Sequence, residues 1–374
     1  TGSQIAGIVN PRNDAHQNMV TALMLANPAA SRVPPIPEVI IAFGNQILRG
    51  NRSKKLNVVG YQGFGSPNFP ALGEAGEFLT INRRLVAEPR SSPLRILSRL
   101  DTNVIVVEVF PGMQHSPIME NILKDASLRG VILKSYGAGN IPTDSAFLRL
   151  FKAFIDRGGI VVNVTSVPEG EVVMGLYETS QVLVDRGIIG GFDITAEAAL
   201  AKLMLLLGEY GDDPKAVRRL MQQSLAGEQR LSLETTEFPS AGSVSGGAEA
   251  ILAKAPLESA SDASRIDRVM LRFKDARLDP GTAERCQLRL SLDDGTALGT
   301  FARARVPSSA LVQDDTVGES LALDLTALKE LFVKRAPVGR LAAGHQVGFS
   351  VAVVEPGARL DWTSAELNIY VAEG

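Results

Sequence analysis

Cysteine is nearly absent from this chain of 374 residues. Cys286 is the single one, so no disulfide can form within the chain, and the composition fits a reducing compartment. Aromatic residues make up only 5%, which suits aliphatic helices on parallel strands better than an aromatic-rich all-β fold. There is no excess of positive charge: 38 Lys and Arg stand against 41 Asp and Glu, a net charge of −3, so nucleic acid is not expected as a partner. No apolar run approaches the length of a membrane span and no signal peptide opens the chain, so no membrane partner is expected. His16, His115 and His345 are scattered without ligand spacing, and GAGNIP at 137–142 lacks the third glycine of a dinucleotide loop. Neither a metal nor a cofactor is expected.

What is present is a regular alternation. Residues 103–110 (NVIVVEVF), 130–134 and 160–164 are apolar runs of strand length separated by helix-length segments. Ser116 followed by Pro117 predicts one helix start, and residues 144–157 put Phe147, Leu148, Leu150, Phe151 and Phe154 on one helical face. Such βαβ units cross over right-handed into a parallel sheet. Across 131–195 each apolar run ends in a glycine-rich turn, which gathers polar loops where strands finish, the place where open α/β sheets bind ligands. Two helices close this part. Thr195 caps the first, with Glu197 in its opening turn, a stripe of Leu200, Leu203, Met204 and Leu207, and Gly208 as the expected stop. Asp213 and Pro214 start the second, expected to end near Gly227. Upstream, NDAHQN at 13–18 leads into an apolar-periodic run, predicting a helix capped near Asn13 or Asp14. Residues 38–44 predict a short strand, followed by a polar, basic turn over 47–55.

After Gly227 the composition changes. FPSAGSVSGGAEA at 238–250 has the Gly and Ser content of a linker. Beyond it, 265–278, 287–292, 297–306, 319–325, 346–355 and 362–371 have strand length and pattern, with Asp294-Gly295 as a hairpin turn. The fold class expected is α/β, parallel sheets flanked by helices, plus a C-terminal all-β, sandwich-like domain. The expected divisions are 1–90 and 91–232 for the α/β part, 233–264 for the linker, and 265–374 for the β domain.

TGSQ at 1–4, NDAHQN at 13–18, RGNRSKK at 49–55, FGSPNFP at 64–70 and LGEA at 72–75, with the 131–195 segments and the helix after DIT, together resemble the bacterial L-asparaginase family in its cytoplasmic, type I form. Ala15 departs from the pattern, standing where the family has glycine. At a positive φ alanine would cost roughly 1 kcal/mol or more, so a differently shaped turn is expected there. The family's two threonine segments are not found in residues 1–374, so the chain is expected to start partway through the fold, lacking its opening strands. An open sheet exposes edge backbone, and a complementary N-terminal polypeptide is therefore an expected partner.

The resemblance implies an amidohydrolase converting L-asparagine, or a related small side-chain amide, to aspartate and ammonia without a cofactor. The family's nucleophile is a threonine, supported by a second threonine, an aspartate and a lysine. Lys55 matches that lysine; a cation beside a hydroxyl eases its deprotonation. Read without the resemblance, Lys54 and Lys55 are solvated turn residues. Ser3 matches the turn position whose backbone carbonyl meets the substrate. Gly139 and Asn140 match the pair that reaches a neighbouring subunit's site, which implies a homo-oligomer; a glycine-flanked asparagine can equally just stabilise its turn. Thr1 as an N-terminal threonine nucleophile finds no support downstream. The alternative function is a catalytically inactive homologue acting as a binding or scaffolding protein.

Overall fold

The computed structural model describes the chain except residues 6–8, 28, 30–32, 90–92, 94–95, 175–177, 239–240, 246–248, 252–254, 257–262, 280–286, 293–296, 303–320, 328, 330–345, 348, 354–358 and 373–374. Helix α1 (Ala15–Ala26) packs beside an antiparallel sheet of order β1-β2-β5-β6, where β1 is Ile40–Phe43, β2 Gln46–Arg49, β5 Gly73–Ala75 and β6 Leu79–Ile81. Between β2 and β5, β3 (Lys54–Lys55) pairs with β4 (Phe64–Gly65). Two details differ from the sequence reading. Residues 47–49 belong to strand β2 rather than to a turn, because Gly44 at φ +61 reverses the chain early and pairs Phe43 with Gln46. Ala15 is the first residue of α1 and is not among the positive-φ residues, so the cost foreseen for alanine does not arise.

The second layer is the expected parallel sheet, in order β10-β9-β8-β7, built from β7 (Val104–Glu108), β8 (Gly130–Ser135), β9 (Ile160–Thr165) and β10 (Ile189–Gly190). Helices α2 (Pro117–Lys124) and α3 (Ser145–Asp156) join its strands, and α4 (Glu178–Asp185) precedes β10. The apolar face of α3 buries Phe147, Leu148, Phe151 and Phe154 with Val131, Leu133 and Val161. Each such side chain contributes about 1.5–3 kcal/mol over exposure. On the opposite face α5 (Ala196–Tyr210) and α6 (Pro214–Met221) cover Ile132, Ile160 and Val162. Thr195 caps α5 as expected, its Oγ1 accepting the Ala198 N–H at 3.1 Å. The helix does not stop at Gly208: there a Cβ would lie 2.2 Å from the Arg99 carbonyl oxygen, so that glycine admits a crossing segment. Helix α6 ends at Met221, short of Gly227, because Glu228 turns back and accepts the N–H groups of Leu225 and Ala226.

The C-terminal region consists of separate antiparallel sheets. Its strands are β11 (Leu231–Phe238), β12 (Gly242–Ser245), β13 (Glu249–Ile251), β14 (Ala255–Pro256), β15 (Ile266–Lys274), β16 (Arg277–Asp279), β17 (Gln287–Leu292), β18 (Ala297–Ala302), β19 (Leu321–Asp324), β20 (Gln346–Val347), β21 (Phe349–Val353), β22 (Arg359–Trp362) and β23 (Ser364–Ala372). They pair as β11-β23-β15-β19, β12-β22-β16, β13-β21-β17-β18 and β14-β20. The described residues of the stretch read as a linker are therefore largely strand, since β11 and β12 find long-range partners in β23 and β22 that local composition does not reveal. β17 and β18 form the expected antiparallel pair; Asp294-Gly295 lies outside the described residues. Among the described residues no helix is long and apolar enough to cross a membrane.

Candidate active site

The N-terminal turn is held by a clasp of short polar side chains. The helix starts where the sequence places its cap, near Asn13 or Asp14: Asn13 Oδ1 accepts the Ala15 N–H at 2.6 Å, while the Asp14 carboxylate, at the N-cap position, makes no cap bond and faces the turn, accepting the Gln4 N–H at 2.9 Å and the Ile5 N–H at 3.1 Å. Burial pushes the Asp14 carboxyl up, but these N–H donors and the Asn18 amide outweigh it and hold the group below its ordinary value. Asn18 is 1% exposed; its Nδ2 donates to the Gly2 carbonyl at 2.9 Å, and its Oδ1 accepts the Gly44 N–H at 2.9 Å. Thr1 Oγ1 donates to the Ala42 carbonyl at 2.5 Å. The turn is thus anchored to both α1 and the β1–β2 hairpin, with Ser3 exposed on it.

Lys55 joins this turn from a distant part of the chain. Its Nζ donates to Gln4 Oε1 at 2.6 Å and lies 4.7 and 5.1 Å from the ring centroids of Phe64 and Phe43. A Cβ on Gly63 would come within 2.7 Å of that Nζ and 2.8 Å of Gln4 Oε1, so glycine leaves room for the pair. Lys55 is exposed, and no ion pair to it is found among the described residues. Lys55 is therefore brought to the turn that carries Ser3, through Gln4.

Gly139 and Asn140 stand elsewhere, after the C-terminal end of β8. The turn is closed by Gly139 and Asn140 N–H groups donating to the Tyr136 carbonyl at 3.1 and 2.9 Å. Gly139 is buried at φ +116, and its carbonyl accepts Asn163 Nδ2 at 2.9 Å; Asn140 is exposed.

Arg52 and Asp193 were missed in sequence. Arg52, 2% exposed, donates from Nη2 to Asp193 Oδ2 at 2.5 Å and to the Asn68 carbonyl at 3.0 Å, and from Nη1 to the Glu228 carbonyl at 2.9 Å. Asn68 bridges to the carbonyls of Gly170 and Asp193. Asn51 and Arg49 reach the carbonyls of Ala226 and Gly227, and Arg49 also pairs with Glu38. RGNR is thus a clamp between the two α/β layers, a role its resemblance to a motif ending in the lysine did not suggest.

The asparaginase N-terminal family matches residues 1–87, and the glutaminase/asparaginase C-terminal domain family matches residues 103–221. L-asparaginase 1 of Escherichia coli K12 is 38% identical over 231 residues, 61% of this chain and 65% of that protein. The mouse 60 kDa lysophospholipase is 34% identical over 220 residues, 59% of this chain and 38% of that protein. Among solved structures, L-asparaginase I of Vibrio cholerae superposes with a TM-score of 0.55 at 38% identity, over 61% of this chain and 66% of that one. The chain thus spans 65% of the E. coli relative's length, and β11 onward lies beyond the matched residues. With both family domains matched in order, this chain belongs to the asparaginase family in its type I branch.

Proposed function

We propose that the protein is an asparaginase-like amidohydrolase, hydrolysing L-asparagine or a related small amide to aspartate and ammonia in the cytoplasm. The observation that carries this reading is the 2.6 Å bond from Lys55 Nζ to Gln4, which fixes a cation beside the turn clasped by Asp14 and Asn18. A fixed cation there lowers the energy of a nearby alkoxide and keeps a neighbouring carboxylate ionised. On this reading the chain supplies the lysine and the substrate-facing turn of the site, and no threonine nucleophile is assigned within residues 1–374. Ser3 presents its backbone carbonyl to the substrate, and Gly139 with Asn140 serves the site of a second copy in a homo-oligomer.

Replacing Lys55 with Met keeps most of the side-chain length and removes the charge. Turnover of asparagine by the active preparation should fall roughly a hundredfold or more with the circular dichroism spectrum unchanged. Near-normal turnover would return Lys55 to the surface turn.

A further inference from the structure

The C-terminal β region touches the α/β part at the layer directly beneath the Gly139–Asn140 turn. Phe192 sits there with φ 55, a left-handed conformation that a bulky side chain adopts only at a cost and keeps only where its surroundings over-determine it. On one side its backbone pairs with Val172, whose N–H donates to the Phe192 carbonyl at 2.8 Å while the Phe192 N–H returns a bond at 3.2 Å. On the other side its ring meets the Tyr370 ring of β23 edge-on, with centroids 6.1 Å apart and planes at 87°. Both residues are buried, in a cluster with Val173 and Leu231. The next contact leads to the turn: Val172 Cγ1 lies 2.8 Å from where a Cβ on Gly139 would stand, so Val172 fits against that glycine with no space to spare. Arg230 adds a polar tie, bonding Glu171 at 2.9 Å and Asp267 of β15 at 3.1 Å.

We infer that the C-terminal β region positions the Gly139–Asn140 turn, with Tyr370 acting through Phe192 and Val172. The consequence for substrate rests on the role proposed above for Asn140; the mechanical coupling does not. Tyr370 touches no reacting group in this arrangement and is a positioning residue. Without its ring, Phe192 loses lateral support and relaxes toward ordinary φ. The Val172 pairing loosens, and the slot under Gly139 opens.

Hydrogen–deuterium exchange of the full protein reads this directly, because the Gly139 and Asn140 amides are both bonded to Tyr136. In Tyr370→Leu, peptides spanning 136–141 should exchange roughly tenfold faster, while those spanning the β1–β2 hairpin stay unchanged. Tyr370→Phe, which keeps the ring, should behave as wild type. Phe192→Leu provides a second route if Tyr370→Leu folds poorly and should quicken the same peptides. Ile369→Ala is the control: Ile369 is equally buried but points to the other face of β23, so it weakens the sheet without touching Phe192. Unchanged exchange at 136–141 in both test variants, or equal acceleration in Ile369→Ala, would overturn the inference. KM for asparagine should rise with kcat nearly unchanged. Faster exchange with an unmoved KM would leave the positioning in place and remove Asn140 from the substrate site, which separates the two readings.

Discussion

The α/β part and the C-terminal β region are held together by different means. In the first, charged and amide side chains reach across long stretches of chain: Arg52 to Asp193 and Lys202 to Glu228 are buried ion pairs, with Asn51 and Asn68 as further bridges. In the second, strands alternate. Odd positions of β23 (Ala365, Leu367, Ile369, Val371) are apolar and buried, as are Val269, Leu271 and Phe273 of its neighbour β15. The even positions Glu366, Asn368 and Tyr370 face the α/β part, where Arg272 pairs with both Glu366 and Asp185. Alternation holds the β region by many interchangeable apolar contacts, whereas the ties that join the two α/β layers to one another depend on a few irreplaceable partners.

Spectroscopy can separate the two regions, because the single tryptophan, Trp362, lies in β22 and the long helices belong to the α/β part. Arg52→Met strands Asp193 in the interior and should cost about 3–5 kcal/mol, seen as an earlier helical transition at 222 nm in urea. A transition that does not move would mean the clamp contributes nothing. Leu271→Ala, at 0% exposure, should cost about 3 kcal/mol and shift the tryptophan fluorescence transition first. If both probes shift equally for both variants, the regions unfold as one and the comparison fails.

Acid sensitivity sharpens the contrast further. Burial raises the Glu228 pKa, but Lys202 and the N–H donors outweigh it and bring the net value below the ordinary 4.5. A carboxylate lowered in the folded state adds stability that is fully present above 4.5 and is lost as pH falls through the folded value. Lys202→Met removes the chief opposing charge, so the folded value rises and acid unfolding of the helical part should begin at higher pH than in wild type. An unchanged acid profile would show that backbone donors alone hold Glu228. The smallest effect is expected of Thr195→Ala, which removes one cap bond from α5 and should cost about 1 kcal/mol in the helical transition alone.

Periodicity and cap chemistry sufficed for α3, α5 and the parallel strands, because those elements are specified by residues a few positions apart. The hairpin partner of β17 was legible for the same reason. The helix start near Asn13 or Asp14 was legible too, but the bonds of the Asp14 carboxylate to the Gln4 and Ile5 N–H groups were not, since they follow no capping pattern. β11 was hidden because its Gly and Ser-rich surroundings suggest a linker, while its partner β23 lies at the far end of the chain. At the site, family resemblance pointed to Lys55 and the TGSQ turn, and the structure joins them through Gln4. The Arg52–Asp193 pair was illegible, since no local pattern announces a bond between residues 141 positions apart.

The pairing of β11 with β23 bears on how the chain is made. Leu231 lies opposite Ala372, so the first strand of the β region waits for the last. At roughly 5–20 residues per second, synthesis of the intervening chain takes on the order of ten seconds. The matched family segments, complete by residue 221, have emerged before then. During that interval β11 presents an unpaired edge to its surroundings, the kind of surface on which nascent chains misassociate. A ribosome stalled before Ser364 would hold folded α/β layers attached to a strand with no partner.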